Sequence, residues 1–116
     1  MANYINRIQI KGVVGSVKIT CSDDGVQTAV FRVAVDDNFF EPGHQEPVRE
    51  TTWFNVRFRG RVGGEIEKQI AETQKGDFIS AGGKMRCFKY KDWSGTDRLQ
   101  WLLEGDIFGL EFRKRR

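Results

Sequence analysis

Histidine, cysteine and proline are scarce in this sequence, and long apolar runs are missing. Of 116 residues, one is His, two are Cys and two are Pro. With His44 alone and no Cys-x-x-Cys pair, a structural zinc site has almost nothing to use. Cys21 and Cys87 are far apart, so the plain reading is two isolated small hydrophobes in a reducing compartment, with a disulfide between them left open. No apolar stretch approaches the ~20 residues of a membrane helix, so no membrane association is expected. The first residues, Met1-Ala2-Asn3-Tyr4-Ile5-Asn6-Arg7, lack the apolar core of a secretory signal, so a cytoplasmic, nucleoid-associated location is expected. Aromatics reach 12%, which excludes a low-complexity or disordered chain.

A large net charge is also lacking. The formal charge is +3, but four of the 19 basic residues are the terminal Arg113-Lys114-Arg115-Arg116. Without them, 15 basic residues face 16 acidic ones, so a polyanion site has to come from where charges sit. The length allows one domain, expected over residues 1–112, followed by a basic end at 113–116. That end reads as a frayed, solvated segment that adds non-specific phosphate attraction.

What the chain does contain is alternation. Ile8 and Ile10 alternate with Arg7, Gln9 and Lys11, and Gly12 and Gly15 predict a bend or bulge in a long first strand. Ser22-Asp23-Asp24-Gly25 is a turn. Ala29, Phe31, Val33 and Val35 then mark the buried parity of a second strand. Residues 37–50 read as a long polar connection, and a third strand follows over 51–60 with Phe54, Val56 and Phe58 inward. Ile66 and Ile70 predict a helix over 63–74, stopped by Gly76. The fourth strand is expected over 77–90, with Ile79, Ala81, Met85 and Cys87 on one parity. Trp93-Ser94-Gly95-Thr96 is a hairpin tip. The fifth strand, over 98–109, is apolar on both parities, so it is either buried on both sides or bulged where the parity changes. Five strands with one helix between the third and fourth is the order of an all-β, five-stranded oligonucleotide-binding (OB) barrel. An SH3-like barrel or another small β fold gives similar patterning.

The outward parities carry the functional signal. On the third strand they read Trp53, Asn55, Arg57, Arg59, Arg61. Three guanidinium groups stand in a row, about 7 Å apart, and repel one another unless something anionic lies across them. On the fourth strand they read Lys84, Arg86, Phe88, Tyr90. If both strands share one curved sheet, aromatic faces for base stacking interleave with cations for phosphate. Duplexes hide base faces, so the combination favours single strands. The plainer reading is a solvated strand face with acidic cross-strand partners, and with Phe88 and Tyr90 covered by the 37–50 connection or by another subunit. Phe39 and Phe40 are loop anchors or further stacking groups, and stacking is favoured; Trp93 is left open.

In this order and spacing the residues resemble the bacterial single-stranded DNA-binding protein (SSB) family, over about residues 5–109. The likeness runs through Asn6-Arg7-Ile8-Gln9-Ile10-Lys11-Gly12-Val13-Val14-Gly15, Phe31-Arg32-Val33-Ala34-Val35, Thr52-Trp53-Phe54-Asn55-Val56 with Gly60-Arg61, Lys75-Gly76-Asp77-Phe78-Ile79, Gly83-Lys84-Met85-Arg86 and Ser94-Gly95-Thr96-Asp97-Arg98. The resemblance implies a homo-oligomer, a tetramer or dimer of OB domains, binding single-stranded DNA in replication, recombination or repair without catalysis or cofactor. It puts Trp53 on a base-stacking position, with Phe39 and Tyr90 near positions where the family has tryptophans. Arg59 replaces a stacking phenylalanine. The family's acidic, Phe-tipped tail, which recruits replication and repair proteins, has no counterpart in Phe112-Arg113-Lys114-Arg115-Arg116. Either a tail was removed or this is a tail-less form, and partners are not expected through an acidic tip.

The expected site is therefore stacking on Trp53, Phe88, Tyr90, Phe39 and Phe40, with phosphates on Arg57, Arg59, Arg61, Lys84, Arg86 and Lys11. An enzyme is not expected. Asp23-Asp24 and Asp36-Asp37 are adjacent pairs that point to opposite faces of an extended chain, so neither chelates a metal alone. His44 lacks a recognisable catalytic partner. Gly82-Gly83-Lys84 lacks the rest of a phosphate-binding loop. The alternatives are a primosome-type adaptor acting through protein partners, and a single-stranded RNA binder.

Overall fold

The structure, a computed structural model, describes residues 3–43, 45–61 and 64–113. His44 and Lys114 to Arg116 lie outside the described residues. The elements are β1 (Ile8–Cys21), β2 (Val26–Phe39), β3 (Val48–Arg61), α1 (Glu65–Glu72), β4 (Phe78–Lys91) and β5 (Asp97–Phe112). The strands close in the order β1-β2-β3-β5-β4, and all neighbours are antiparallel except the short β3–β5 seam at Val56–Leu103 and Arg57–Glu104. That order, with the helix between β3 and β4, makes this an OB-fold barrel and excludes the other small β folds.

The alternation of β2 builds the core. Ala29, Phe31 and Val33 are buried and pack with Val56 and Phe58 of β3. Phe31 stacks on Phe108 with centroids 5.6 Å apart, and Phe58 meets both edge-on. Each such ring pair adds about 0.5–1.5 kcal/mol beyond the area it buries. Ile79, Ala81 and Leu103 complete the interior.

The first strand bulges between Val14 and Ser16, where Gly15 was expected to bend it. The turn after α1 is clipped to that point: the Gly76 amide donates to the Val14 carbonyl (2.8 Å), and the Val14 amide donates to the Asp77 carbonyl (2.9 Å). Helix α1 is shorter than expected. It ends with Thr73 at its C-cap, before the turn in which Gly76 takes a φ of +94°. Ile70 is buried and Ile66 partly so against the core, which seats the helix across the barrel end.

The ambiguous fifth strand is bulged. Gly82 pairs with Ile107 and Gly83 with Gly105, leaving Asp106 as the extra residue. The inward parity therefore switches from Leu103 to Phe108. Before the bulge the strand is buried on both faces at Leu102 and Leu103, whereas Leu99 and Trp101, of the same parity as Leu103, and Ile107 are exposed.

Three expectations are corrected. Residues 37–50 are not one loop: β2 and β3 stay paired out to Phe39–Val48, because Asp37–Glu50 and Asn38–Arg49 continue the ladder. Cys87 shares the parity of Met85 but sits opposite Trp101, on the part of the β4–β5 hairpin that runs past the barrel, and is exposed. Cys21 is exposed too; both thiols are free, so the two stay isolated as expected, but on the surface rather than as small hydrophobes in the core.

Candidate nucleic-acid interface

The outward parities of β3 and β4 do lie on one curved sheet, but β5 runs between them. Its own outward residues are thereby inserted into the surface. Arg57, Glu104 and Lys84 form one row across β3, β5 and β4. Arg86 is opposite Leu102, Phe88 opposite Gln100, and Tyr90 opposite Arg98. Leu102, on this outward side, is buried and forms an apolar floor.

The guanidinium row is not unpaired. Glu104 accepts from Arg57 Nε (2.7 Å) and Nη2 (3.1 Å), one on each carboxylate oxygen, and from Arg59 Nη2 (2.6 Å). The Arg57 and Glu104 side chains are only 25% and 15% exposed, while Arg59 is 54% exposed. The hydrogen bonds from Arg57, then those from Arg59, with the charges of both, hold the Glu104 carboxyl below its usual range. Burial pushes the other way and loses. The cross-strand acidic partner of the plainer reading is thus present for two of the arginines. Lys84 and Arg86 have no ion-pair partner among the described residues.

The aromatics fall into two groups. Phe88 and Tyr90 have ring centroids 6.4 Å apart, and the Arg57 guanidinium carbon lies 5.9 Å from the Phe88 centroid. Arg57, Arg59, Lys84, Arg86 and Phe88, with Asn6, line a groove of about 700 Å³. Asn6 closes one side by exchanging two hydrogen bonds with the Met85 backbone. Trp53 stands four residues along β3 from Arg57, about 13 Å away on the same parity. The benzo edge of its indole reaches Gly15, where a Cβ would come within 2.6 Å of Cζ3. The Arg32 guanidinium sits 4.9 Å above the same ring. The Trp53 residue is 48% exposed, so it keeps a usable face.

Other expected site residues are placed apart. Phe39 is half-buried opposite Val48 and carries the parity of Phe31 and Val33, so it does not share the face of Trp53. Phe40 follows the end of β2 and is 74% exposed. Lys11 is opposite Ser80 on the β1–β4 side and pairs with Glu111 at 3.3 Å, away from the groove. Arg61 is opposite Val26 in the ladder, and its side chain lies outside those described. Trp93 is fully exposed at the tip of the β4–β5 hairpin. The Asp92 carboxylate organises that tip, accepting from the Ser94 and Thr96 amides, the Ser94 hydroxyl and Arg98.

Reasoning on the sequence missed Arg32 and Glu104. The outward parity of β2 could have found Arg32. Glu104 had no local signal, because its role depends on β5 lying between β3 and β4. A separate cavity of about 510 Å³ under α1 is walled by Ala29, Phe58, Ile66 and Ile70. It is the open end of the core; Arg59 borders it, but its aromatic wall, Phe58, is buried in the core rather than turned outward as a stacking face.

No protein-family profile matches the chain. Among solved structures, the SSB of Plasmodium falciparum in complex with ssDNA is similar, with a TM-score of 0.78 at 20% identity. The likeness covers 93% of this chain and 97% of that one. What the two share is the fold: this chain is an OB barrel that matches that structure over nearly its whole length.

Proposed function

We propose that the protein binds single-stranded DNA without sequence preference and without catalysis, as a member of the bacterial SSB family. The observation that carries this reading is one outward surface holding two aromatic stations, Trp53 on β3 and the Phe88–Tyr90 pair on β4, beside a cationic groove that Phe88 helps to line. Aromatic faces accept any base, and cations accept the phosphates between them. A solved SSB of the same fold holds ssDNA, which supports the reading. The role would be protection of single strands in replication, recombination or repair, in the cytoplasm at the nucleoid. Self-association as a dimer or tetramer is part of the proposal. Leu99 and Trp101, exposed on the reverse parity of the β4–β5 hairpin, are the apolar surface it would cover.

The test is a tryptophan-fluorescence titration with oligo-dT at two salt concentrations, with duplex DNA and oligo-U as competitors. Saturable quenching that resists duplex and weakens by about 0.7 log units per tenfold rise in salt for each phosphate contacted supports the proposal. Displacement by oligo-U at equal concentration makes RNA an equal ligand. Absence of binding, or ready displacement by duplex, overturns the reading and leaves the adaptor role in front.

A further inference from the structure

The carboxylate that stands between Arg57 and Lys84 in the row across β3, β5 and β4 has no place in a simple polyanion site. Glu104 lies where an anion would be taken, and it engages two of the arginines best placed to take one. A carboxylate offers the same planar pair of acceptors to a guanidinium fork as a phosphate does. Arg57, with its Nε–Nη2 fork engaged and its side chain only 25% exposed, keeps its remaining Nη hydrogens for a backbone phosphate but has part of its charge offset by Glu104. The clamp also fixes the guanidinium plane beside Phe88, 5.9 Å from the ring centroid. A guanidinium held flat is a surface on which a base can stack. Lys84 and Arg86 on β4 remain for phosphate among the described residues.

We infer that Glu104 is a specificity-determining residue: by occupying Arg57 and Arg59 it makes the groove select strands that offer bases over polyanions that offer phosphate alone. The inference rests on the proposed single-strand binding and names what discriminates within it. A base-free strand meets Lys84 and Arg86 and, beside them, an Arg57–Arg59–Glu104 cluster in which the carboxylate offsets one of the two guanidinium charges. A strand with bases gains, in addition, the Arg57–Phe88–Tyr90 platform.

The experiment compares oligo-dT with an abasic oligonucleotide of the same length, in wild type, Glu104→Gln and Arg57→Lys, with thermal melts to verify folding. Wild type should prefer oligo-dT. Glu104→Gln frees up to two guanidinium groups, so the salt slope for both strands should steepen by up to about 1.4. Abasic binding at low salt should rise several-fold, and the preference for oligo-dT should shrink about fivefold or more as the platform loosens. Arg57→Lys keeps the charge but loses the planar fork. It should weaken oligo-dT about fivefold or more while abasic binding and the salt slope hold. A merely structural role would lower both affinities together and leave their ratio alone, and that result overturns the inference. If Glu104→Gln does not fold, Arg57→Lys decides alone, and unchanged oligo-dT affinity refutes the platform. Wild type that binds both strands equally refutes the selectivity only, whereas wild type that binds neither refutes the single-strand reading itself.

Discussion

Replacing Trp53 by Ala should separate the two costs of losing one aromatic station. The indole is half-covered, with its benzo edge against Gly15 and Arg32 above it. A fully covered aromatic side chain buries about 150–250 Å². Half of that, at about 25 cal/mol per Å², puts an upper bound of about 3 kcal/mol on the stability lost. The exposed half is what a base would stack on, worth about 1–3 kcal/mol, or roughly 5- to 150-fold in Kd. The assay is fluorescence anisotropy of a labelled oligo-dT, run well below the melting temperature of the variant. Trp53→Phe should retain most of the affinity, since the face is kept and only its area shrinks. The salt slope should be the same in wild type, Trp53→Ala and Trp53→Phe, because no phosphate contact is removed. A folded Trp53→Ala protein that binds oligo-dT like wild type would refute the reasoning and remove Trp53 from the site.

Gly15→Ala places a methyl group 2.6 Å from the Trp53 ring, so the indole must tilt away. Its emission should shift and oligo-dT affinity should fall several-fold; unchanged emission would count against the packing described. Leu103→Ala empties a fully buried position and should cost about 2–5 kcal/mol, read as a lower denaturant midpoint. A smaller cost would mean that the barrel interior collapses around the gap. The Asp92 carboxyl is held at about 2, below its ordinary 3.8, chiefly by the Ser94 hydroxyl and then by Arg98. Because the folded value is depressed, its stabilisation is present above about pH 3.8 and lost as pH falls through about 2. The Ser94 and Thr96 amide shifts should move across that window by NMR and stay fixed above it, and movement only above pH 4 would disprove the assignment.

The sequence made much of the barrel legible because strand alternation is local. Ala29, Phe31 and Val33 declare the inner face of β2 within a few residues, and Val56 and Phe58 do the same for β3. Turn chemistry is equally local: Gly25 and Gly95 take positive φ where the turns were read. The hairpin extensions were less legible. Polar residues such as Asp37, Asn38 and Glu50 look like a loop, yet their backbone groups pair as well as any others. Phe39, promising as an aromatic in a polar stretch, therefore sits on a strand and on the wrong parity for the Trp53 face.

By itself, then, the sequence determined the five strands and the outward rows of Arg57, Arg59, Lys84, Arg86, Phe88 and Tyr90. Each follows from side chains alternating every two residues along one segment. Only the tertiary structure decided what those rows meet. Insertion of β5 between β3 and β4 puts Glu104 against Arg57 and Arg59, 47 and 45 residues away in the chain. It also sets Lys11 on another side of the barrel, paired with Glu111. Periodicity reports which face a residue takes, while the charge it ends up beside depends on strand order and register, and the closure of the barrel sets those.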